Sequence, residues 1–258
     1  MTEVRIPTPR GKMLAGTFVD PVDSTDAAVI FSHSFLADRH SGEHFDRLSA
    51  AYRGAGYATL EFDYSGCGDS DDDVITTANQ VEDLHSASAW VKAKGFSRQI
   101  IHAHSFGTLA ALKARPEAAQ TMVLTGMITG PLSFDWTRIF SESQLDDLEK
   151  HGYARIPDDN QSDREFFVIS KQTLIDLSMN EPDELINNLK QPILAIHDHD
   201  DELMGLVEMT EEIFPRLPEG SKVEVVREVR FGLHEGVDLL RNMSVNWATS
   251  HVPVRPEK

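Results

Sequence analysis

The chain has 258 residues, 40% hydrophobic and 26% charged, so it can bury a core without disulfides or a structural metal, and disordered and collagen-like classes are excluded. Forty-two acidic against twenty-four basic side chains give a formal charge of -18, which repels phosphate backbones and anionic headgroups and excludes nucleic acid as a natural partner. A lone cysteine, Cys67, cannot form an internal disulfide. The first residues carry no apolar signal region, and no apolar run approaches the ~20 residues that span a bilayer, so a cytoplasmic protein without a membrane partner is expected.

The opening stretch alternates, with Val4 and Ile6 and then Met13, Ala15, Thr17 and Val19 on either side of a Pro9-Arg10-Gly11 turn, which predicts a β-hairpin. The pattern then changes to apolar runs separated by helical periods. Ala27 to Phe31 reads as a buried strand, and Phe45, Leu48 and Tyr52 fall on one face of a helix that ends at Gly54 to Gly56. Tyr57 to Tyr64 gives another strand and the Ser65-Gly66-Cys67-Gly68-Asp69 turn follows it. Val81, Leu84, Ala87 and Val91 mark the next helix. Gln99 to Ala103 is a strand that runs into Ser105, and Thr108 to Ala114 is helical by composition. Further strands are expected at Met122 to Ile128, at Pro192 to Ile196 and from Lys222 to Val229, before a closing helix carrying Val237, Leu240 and Trp247. This order fits a mostly parallel open sheet with helices on both faces, in a single domain spanning residues 1–258.

One segment breaks the alternation. Between Gly130 and Gln191 lie more residues than a crossover needs, with Phe134, Trp136, Phe140, Tyr153, Phe166 and Phe167 set among acidic side chains. Long connections in compact domains are usually lids or binding loops. Residues 131 to about 165 therefore read as a small lid, and residues 166–190 as a helical return to the sheet.

The sharpest chemical signal is Ala103-His104-Ser105-Phe106-Gly107, set after an apolar strand and before an alanine-rich helix. It matches a nucleophile elbow whose first glycine is alanine. A serine hydroxyl is a weak nucleophile and needs a base, and the base needs an orienting acid. His197-Asp198-His199-Asp200-Asp201-Glu202 follows a buried strand, where open sheets place functional loops. His234 sits between Gly232 and Gly236, just before the last helix, where a base would be delivered.

With these motifs the chain resembles the α/β-hydrolase superfamily, and within it the compact serine esterases of the feruloyl or cinnamoyl esterase and serine aminopeptidase-like group. The resemblance implies an α/β-hydrolase fold with a mostly parallel eight-stranded sheet and helices on both faces. His33-Ser34-Phe35 stands where the family reads His-Gly-Phe, and Phe62 to Ser70 is similar to its Asp-x-x-Gly-x-Gly-x-Ser turn. The family's His-Gly-x-x-Asp acid loop places the acid at Asp201, with Asp200 the alternative because Asp198 replaces the glycine. The resemblance then implies Ser105 as nucleophile, His234 as general base and Asp201 as its orienting acid. The N–H groups of Phe35 and Phe106 would form the oxyanion hole.

The expected activity is hydrolysis of carboxylic esters with small or aromatic acyl groups, without a cofactor, by a carboxylesterase that takes a small-molecule ester; a homodimer is admitted. An acyltransferase, thioesterase or peptidase with the same triad, or a ligand-binding member without catalysis, remains the alternative. Phe134 and Trp136 are candidate substrate contacts, and His40 and His44 lie near the expected entrance. The run from His197 to Asp200 invites a metal, but neighbours on an extended strand point to opposite faces, so no metal is expected. His33, His102 and His104 read as structural hydrogen-bonding residues and Cys67 as an inert thiol.

Overall fold

The computed structural model describes residues 1–20, 26–160, 162–228, 230 and 234–255, the side chains of residues 234 and 235 excepted. The expected hairpin is present: β1 (Thr2–Pro7) pairs antiparallel with β2 (Met13–Val19). Next come β3 (Ala27–Ser32), α1 (His44–Gly54), β4 (Ala58–Phe62), α2 (Thr77–Ala93), β5 (Arg98–His104), α3 (Gly107–Ala114) and β6 (Ala119–Thr125). The long connection holds α4 (Trp136–Ile139), α5 (Glu142–His151), β7 (Tyr153–Pro157), β8 (Phe166–Ser170), α6 (Lys171–Ser178) and α7 (Pro182–Ile186). The chain then forms β9 (Ile193–Asp198), α8 (His199–Leu203), α9 (Leu206–Ile213), β10 (Lys222–Val226) and α10 (His234–His251).

The main sheet has eight strands in the order β1-β2-β4-β3-β5-β6-β9-β10. From β4 to β10 all neighbours are parallel, and β1 and β2 add an antiparallel edge. The α/β-hydrolase architecture expected from the sequence is the one observed. Parallel strands covered on both faces must be apolar throughout, and β3 is buried at every position. One face packs against α1 and α10, through Phe45, Leu48 and Tyr52 with Leu240 and Trp247, and against Val252 just beyond α10. The other packs against α2, α3 and α9, through Leu84, Ala87, Val91, Leu109, Leu112, Leu206 and Ile213.

Several boundaries differ from the sequence reading. β6 ends at Thr125 rather than Ile128, because Gly126 takes φ +59° and turns the chain out of the sheet. Residues 166–170 are not part of a helical return. They form β8, antiparallel to β7, with Phe167 and Ile169 buried and their neighbours partly exposed, the period of two that marks a strand. This hairpin docks on the segment before α2: the Ile75 N–H donates to the Val168 carbonyl at 2.9 Å. On α2, Val81 is only half-buried, while Gln80 and Asp83 turn inward. Asp83 accepts from Arg10, which ties the β1–β2 turn to this helix.

Candidate active site

Ser105 leaves β5 in the left-handed region, at φ 51°, and α3 begins two residues later. This conformation costs a non-glycine residue of order 1–3 kcal/mol, so the surroundings must hold it. They do so through the backbone. The Ser105 N–H donates to the Thr125 carbonyl at 2.8 Å, and its own carbonyl accepts from the Thr108 N–H at 2.9 Å and the Thr108 hydroxyl at 2.6 Å. Thr108 Oγ1 in turn accepts from the Ile128 N–H at 3.2 Å, which secures the turn to the chain beyond β6.

Gly107 lets the elbow lie directly on the end of β3. A Cβ there would stand 2.3 Å from the Ser32 carbonyl oxygen and 2.5 Å from that of His33. The Ser32 hydroxyl donates to the Gly107 carbonyl at 2.9 Å, so the hydrogen in its 2.6 Å contact with Tyr64 comes from the phenol. His33 is fully buried, and burial keeps its pKa below the usual imidazole value. Its Nε2 accepts from the Tyr64 N–H at 3.0 Å, so Nδ1 carries the proton and donates to the Ser34 carbonyl at 2.8 Å. These bonds shape the loop that presents Phe35.

Phe35 and Phe106 meet edge to face, ring centroids 6.0 Å apart. Among the described residues no hydrogen bond engages the N–H of either, whereas the neighbouring Ser105 and Thr108 amides are committed. Farther along the loop, the Arg39 guanidinium and N–H both bind Asp63, which is wholly buried, and Arg39 also reaches Asp69 at 2.9 Å. Gly68 permits this, since a Cβ there would fall 2.3 Å from the Asp63 Cγ. The turn from Phe62 to Ser70 thus anchors the loop that carries Phe35.

The acid loop follows β9. Asp198 caps α8 by accepting from the N–H groups of Asp200 at 2.9 Å and Asp201 at 3.0 Å, and Asp201 Oδ2 accepts from the Asp198 N–H at 3.1 Å. The Asp201 side chain is 17% exposed and its Oδ1 lies against Gly126, 3.0 Å from where a Cβ would stand. Asp200 points outward, 54% exposed, and pairs with Arg230 at 3.0 Å. Asp201 also bears on His104, beside Ser105: burial lowers the His104 pKa, and the charges of Asp201 and Asp198 oppose that shift. His234 is the first residue of α10, but its side chain lies outside the described residues, as do Phe231, Gly232 and Leu233. Of the residues predicted from sequence, the structure therefore groups Ser105, Phe35 and Phe106 at one turn and sets Asp201 over the end of the adjacent strand.

Phe134 and Trp136 join this group through their rings. Phe106 and Phe134 are 6.1 Å apart, Phe134 and Trp136 4.8 Å, and Trp136 and Phe140 5.8 Å, a ladder from the elbow into the long connection.

The model of the alpha/beta hydrolase family matches residues 29–223, a span running from β3 to β10 and taking in the elbow and the acid loop. The chain belongs to the alpha/beta hydrolase family. This hydrolase-family chain matches no curated protein in sequence. Among solved structures it is similar to DcsB in complex with its substrate analogue, at 16% identity and TM-score 0.80 over 97% of this chain and 99% of that one. It is also similar to the esterase domain of a Rhodothermus marinus protein, at 21% identity and TM-score 0.70, covering 97% and 98% of the two chains. The esterase EaEST from Exiguobacterium antarcticum gives 16% identity and TM-score 0.72, covering 96% and 100%. At these identities the likeness is one of fold.

Four further histidines of this alpha/beta hydrolase sit near these elements. His104 Nδ1 bonds Thr125 Oγ1 at 3.0 Å and His102 Nδ1 bonds the Tyr52 hydroxyl at 2.9 Å. His40 pairs with Asp46 at 2.9 Å, which raises its pKa. His44 lies tilted against His104, ring centroids 5.6 Å apart, and burial pushes its pKa down to about 3. His40, Asp46 and Glu61 bring donor atoms within 4.8 Å of one another and are, among the described residues, the group able to hold a metal. Glu61 there already accepts from Ser49 and lies 3.6 Å from Arg53. Cys67 is buried and burial raises its thiol pKa, which suits a packing role. No described helix is long and apolar enough to cross a membrane.

Sequence reasoning missed Thr108, Thr125 and Gly126, the residues that brace the elbow and seat Asp201. Thr125-Gly126 at the end of an apolar strand is the signal that could have found them, since a glycine there marks a close approach.

Proposed function

We propose that this alpha/beta hydrolase is a serine carboxylesterase that cleaves esters of small or aromatic acids through an acyl-enzyme on Ser105, in one domain whose insertion at about 131–165 serves as a lid. The observation that carries the proposal is the braced left-handed Ser105 at the β5–α3 turn, with the uncommitted N–H groups of Phe35 and Phe106 beside it. Strain retained at a serine between strand and helix serves to project a hydroxyl, and a helix cap has no use for it.

In this reading His234 takes the Ser105 proton as Oγ attacks the ester carbonyl, and the two N–H groups stabilise the oxyanion that forms. Collapse of the tetrahedral species expels the alcohol, protonated by the same imidazole. Water, activated by His234, then releases the acid. Asp201 orients the imidazole; its inward carboxylate and the outward pairing of Asp200 with Arg230 favour it as the acid. No step calls for a cofactor. The esterase activities named for the Rhodothermus and Exiguobacterium proteins are in keeping with this chemistry.

The test is turnover of p-nitrophenyl acetate together with labelling by a fluorophosphonate probe. Ser105→Ala should abolish both, and full activity in that variant would refute the proposal. A competing amine or alcohol in the assay separates hydrolysis from acyl transfer by its product.

A further inference from the structure

The peptide that carries the Phe35 N–H is held on both sides. Its carbonyl belongs to Ser34 and accepts from His33 Nδ1 at 2.8 Å. A trans peptide points its C=O and N–H in opposite directions, so this bond also fixes the line of the Phe35 N–H. The next residue, Leu36, stands in the left-handed region at φ 52°, a conformation that leucine keeps only where its surroundings enforce it. Its carbonyl accepts from Asn160 Nδ2 at 3.1 Å, and among the described residues no other donor reaches it.

Asn160 lies on the loop that joins β7 to β8, within the long connection, and is partly buried. Asp158 Oδ1 accepts from the Asn160 N–H at 2.8 Å and from its Nδ2 at 2.6 Å, and Asp158 Oδ2 accepts from the Ser162 hydroxyl at 3.0 Å. A carboxylate and a carbonyl both accept, so the amide nitrogen must face both and the side chain has one orientation. Farther along the same loop, Arg164 donates to the Gly68 carbonyl at 3.0 Å and pairs with Asp72 at 2.6 Å. That fastens the loop to the turn whose Asp63 and Asp69 hold Arg39. Between the two loops lies a cavity of about 210 Å³, with Asp38, Arg39, Asp69, Ser162 and Asp163 in its lining. Among the described residues, Asn160 supplies the only hydrogen bond that crosses directly from the β7–β8 loop to the loop of Phe35.

Building on the serine-esterase reading, in which the Phe35 N–H is one of the two oxyanion donors, we propose that Asn160 is a positioning residue for the oxyanion hole. It touches neither substrate nor Ser105. By holding the Leu36 carbonyl it keeps Leu36 left-handed, and this sets the peptide that follows Phe35, as His33 sets the one before it. The long connection then takes part in catalysis through one amide, as well as covering the site.

The experiment measures kcat and KM for p-nitrophenyl acetate with wild type, Asn160→Ala, Asn160→Asp and, as a control on the same loop, the exposed neighbour variant Asp159→Ala. Asn160→Asp keeps the size and removes the donor. Both Asn160 variants should lose about 10-fold to 100-fold in kcat with KM near wild type, since a misplaced donor weakens the transition state alone. Asp159→Ala should match wild type. A trifluoromethyl ketone supplies the second readout: Ser105 Oγ adds to its carbonyl carbon, the hydroxyl proton passes to His234, and the carbonyl oxygen becomes the anion in the hole. Its affinity should fall by the same factor as kcat/KM. Near-UV circular dichroism checks each fold, and loss of the folded signal in both Asn160 variants would make the residue a folding determinant and overturn the assignment. Wild-type kcat in the folded variants, a raised KM with kcat unchanged, an unaltered ketone affinity, or an equal loss in Asp159→Ala would each overturn it too, leaving the esterase reading intact. A wild-type Ser105 that takes no fluorophosphonate overturns the esterase reading, and this inference with it.

Discussion

Gly107→Ala probes the contact on which the site is built. The new Cβ would meet two backbone carbonyl oxygens at 2.3 and 2.5 Å, and contacts under 3.0 Å are essentially never seen. Neither obstacle is a side chain that can rotate away. The elbow and the end of β3 must part by about 0.7 Å, the shortfall of 2.3 Å from 3.0 Å, and the 2.9 Å bond from Ser32 to the Gly107 carbonyl lengthens with them. Overpacking of this kind costs about 1–3 kcal/mol. For a chain of this size that lowers Tm by about 2–4 °C per kcal/mol, or about 2–12 °C in all. The same shift moves the Phe106 N–H relative to Phe35, and a displacement approaching 1 Å in a positioned group slows reaction by about 100-fold. Thermal unfolding and the rate of fluorophosphonate labelling read both effects. An alanine variant with wild-type Tm and labelling rate would refute the close approach and the oxyanion geometry derived from it.

Ser105→Gly should be inactive yet more stable by about 1 kcal/mol, because glycine tolerates the left-handed turn that strains serine; equal or lower stability in urea unfolding would contradict the strain. Arg39→Met should destabilise by about 3–5 kcal/mol in the same assay, since it leaves Asp63 buried without its countercharge, and Arg39→Lys should recover little because one ammonium cannot bond both Asp63 and Asp69 as the guanidinium does. His44 is held neutral, its pKa pushed by burial from 6.5 down to about 3. Its contribution to stability is thus complete above pH 6.5 and is lost as pH falls towards 3, when the unfolded chain takes up a proton that the fold refuses. His44→Phe should flatten the acid limb of a Tm against pH curve over that window, and an unchanged limb would sink the assignment. Asp201→Asn should slow Ser105 labelling far more than Asp200→Asn, and the reverse order would move the acid to Asp200.

The parallel sheet was legible because strands buried on both faces leave unbroken apolar runs, as in Ala27–Phe31 and Ile193–Ile196, and helices at their ends leave a period near 3.6. The elbow was legible because its small flanking residues sit between such a strand and an alanine-rich helix. The β7–β8 hairpin was not, since Tyr153 to Pro157 alternates among charged residues and Phe166-Phe167-Val168-Ile169 reads equally as a helical start. What turns it into a strand is its partner and the docking on Ile75. The brace around Ser105 was hidden for a related reason. Thr108 and Thr125 are ordinary residues in sequence, and their role arises only where α3 and β6 bring the Thr108 hydroxyl and the Thr125 carbonyl against the turn. Asp201 and Asp200 were ambiguous because both stand in one acidic run; their opposite directions follow from the Asp198 cap at the start of α8.

Intact-mass and peptide mass spectrometry after fluorophosphonate treatment, with the His234→Ala variant alongside, bears most directly on the proposed triad. The wild-type chain should gain one phosphonyl group, on the peptide containing Ser105, and His234→Ala should gain it slower by about 1,000-fold or more. No adduct on the wild-type Ser105, or an adduct formed as fast without His234, would mean that this serine is not an activated nucleophile.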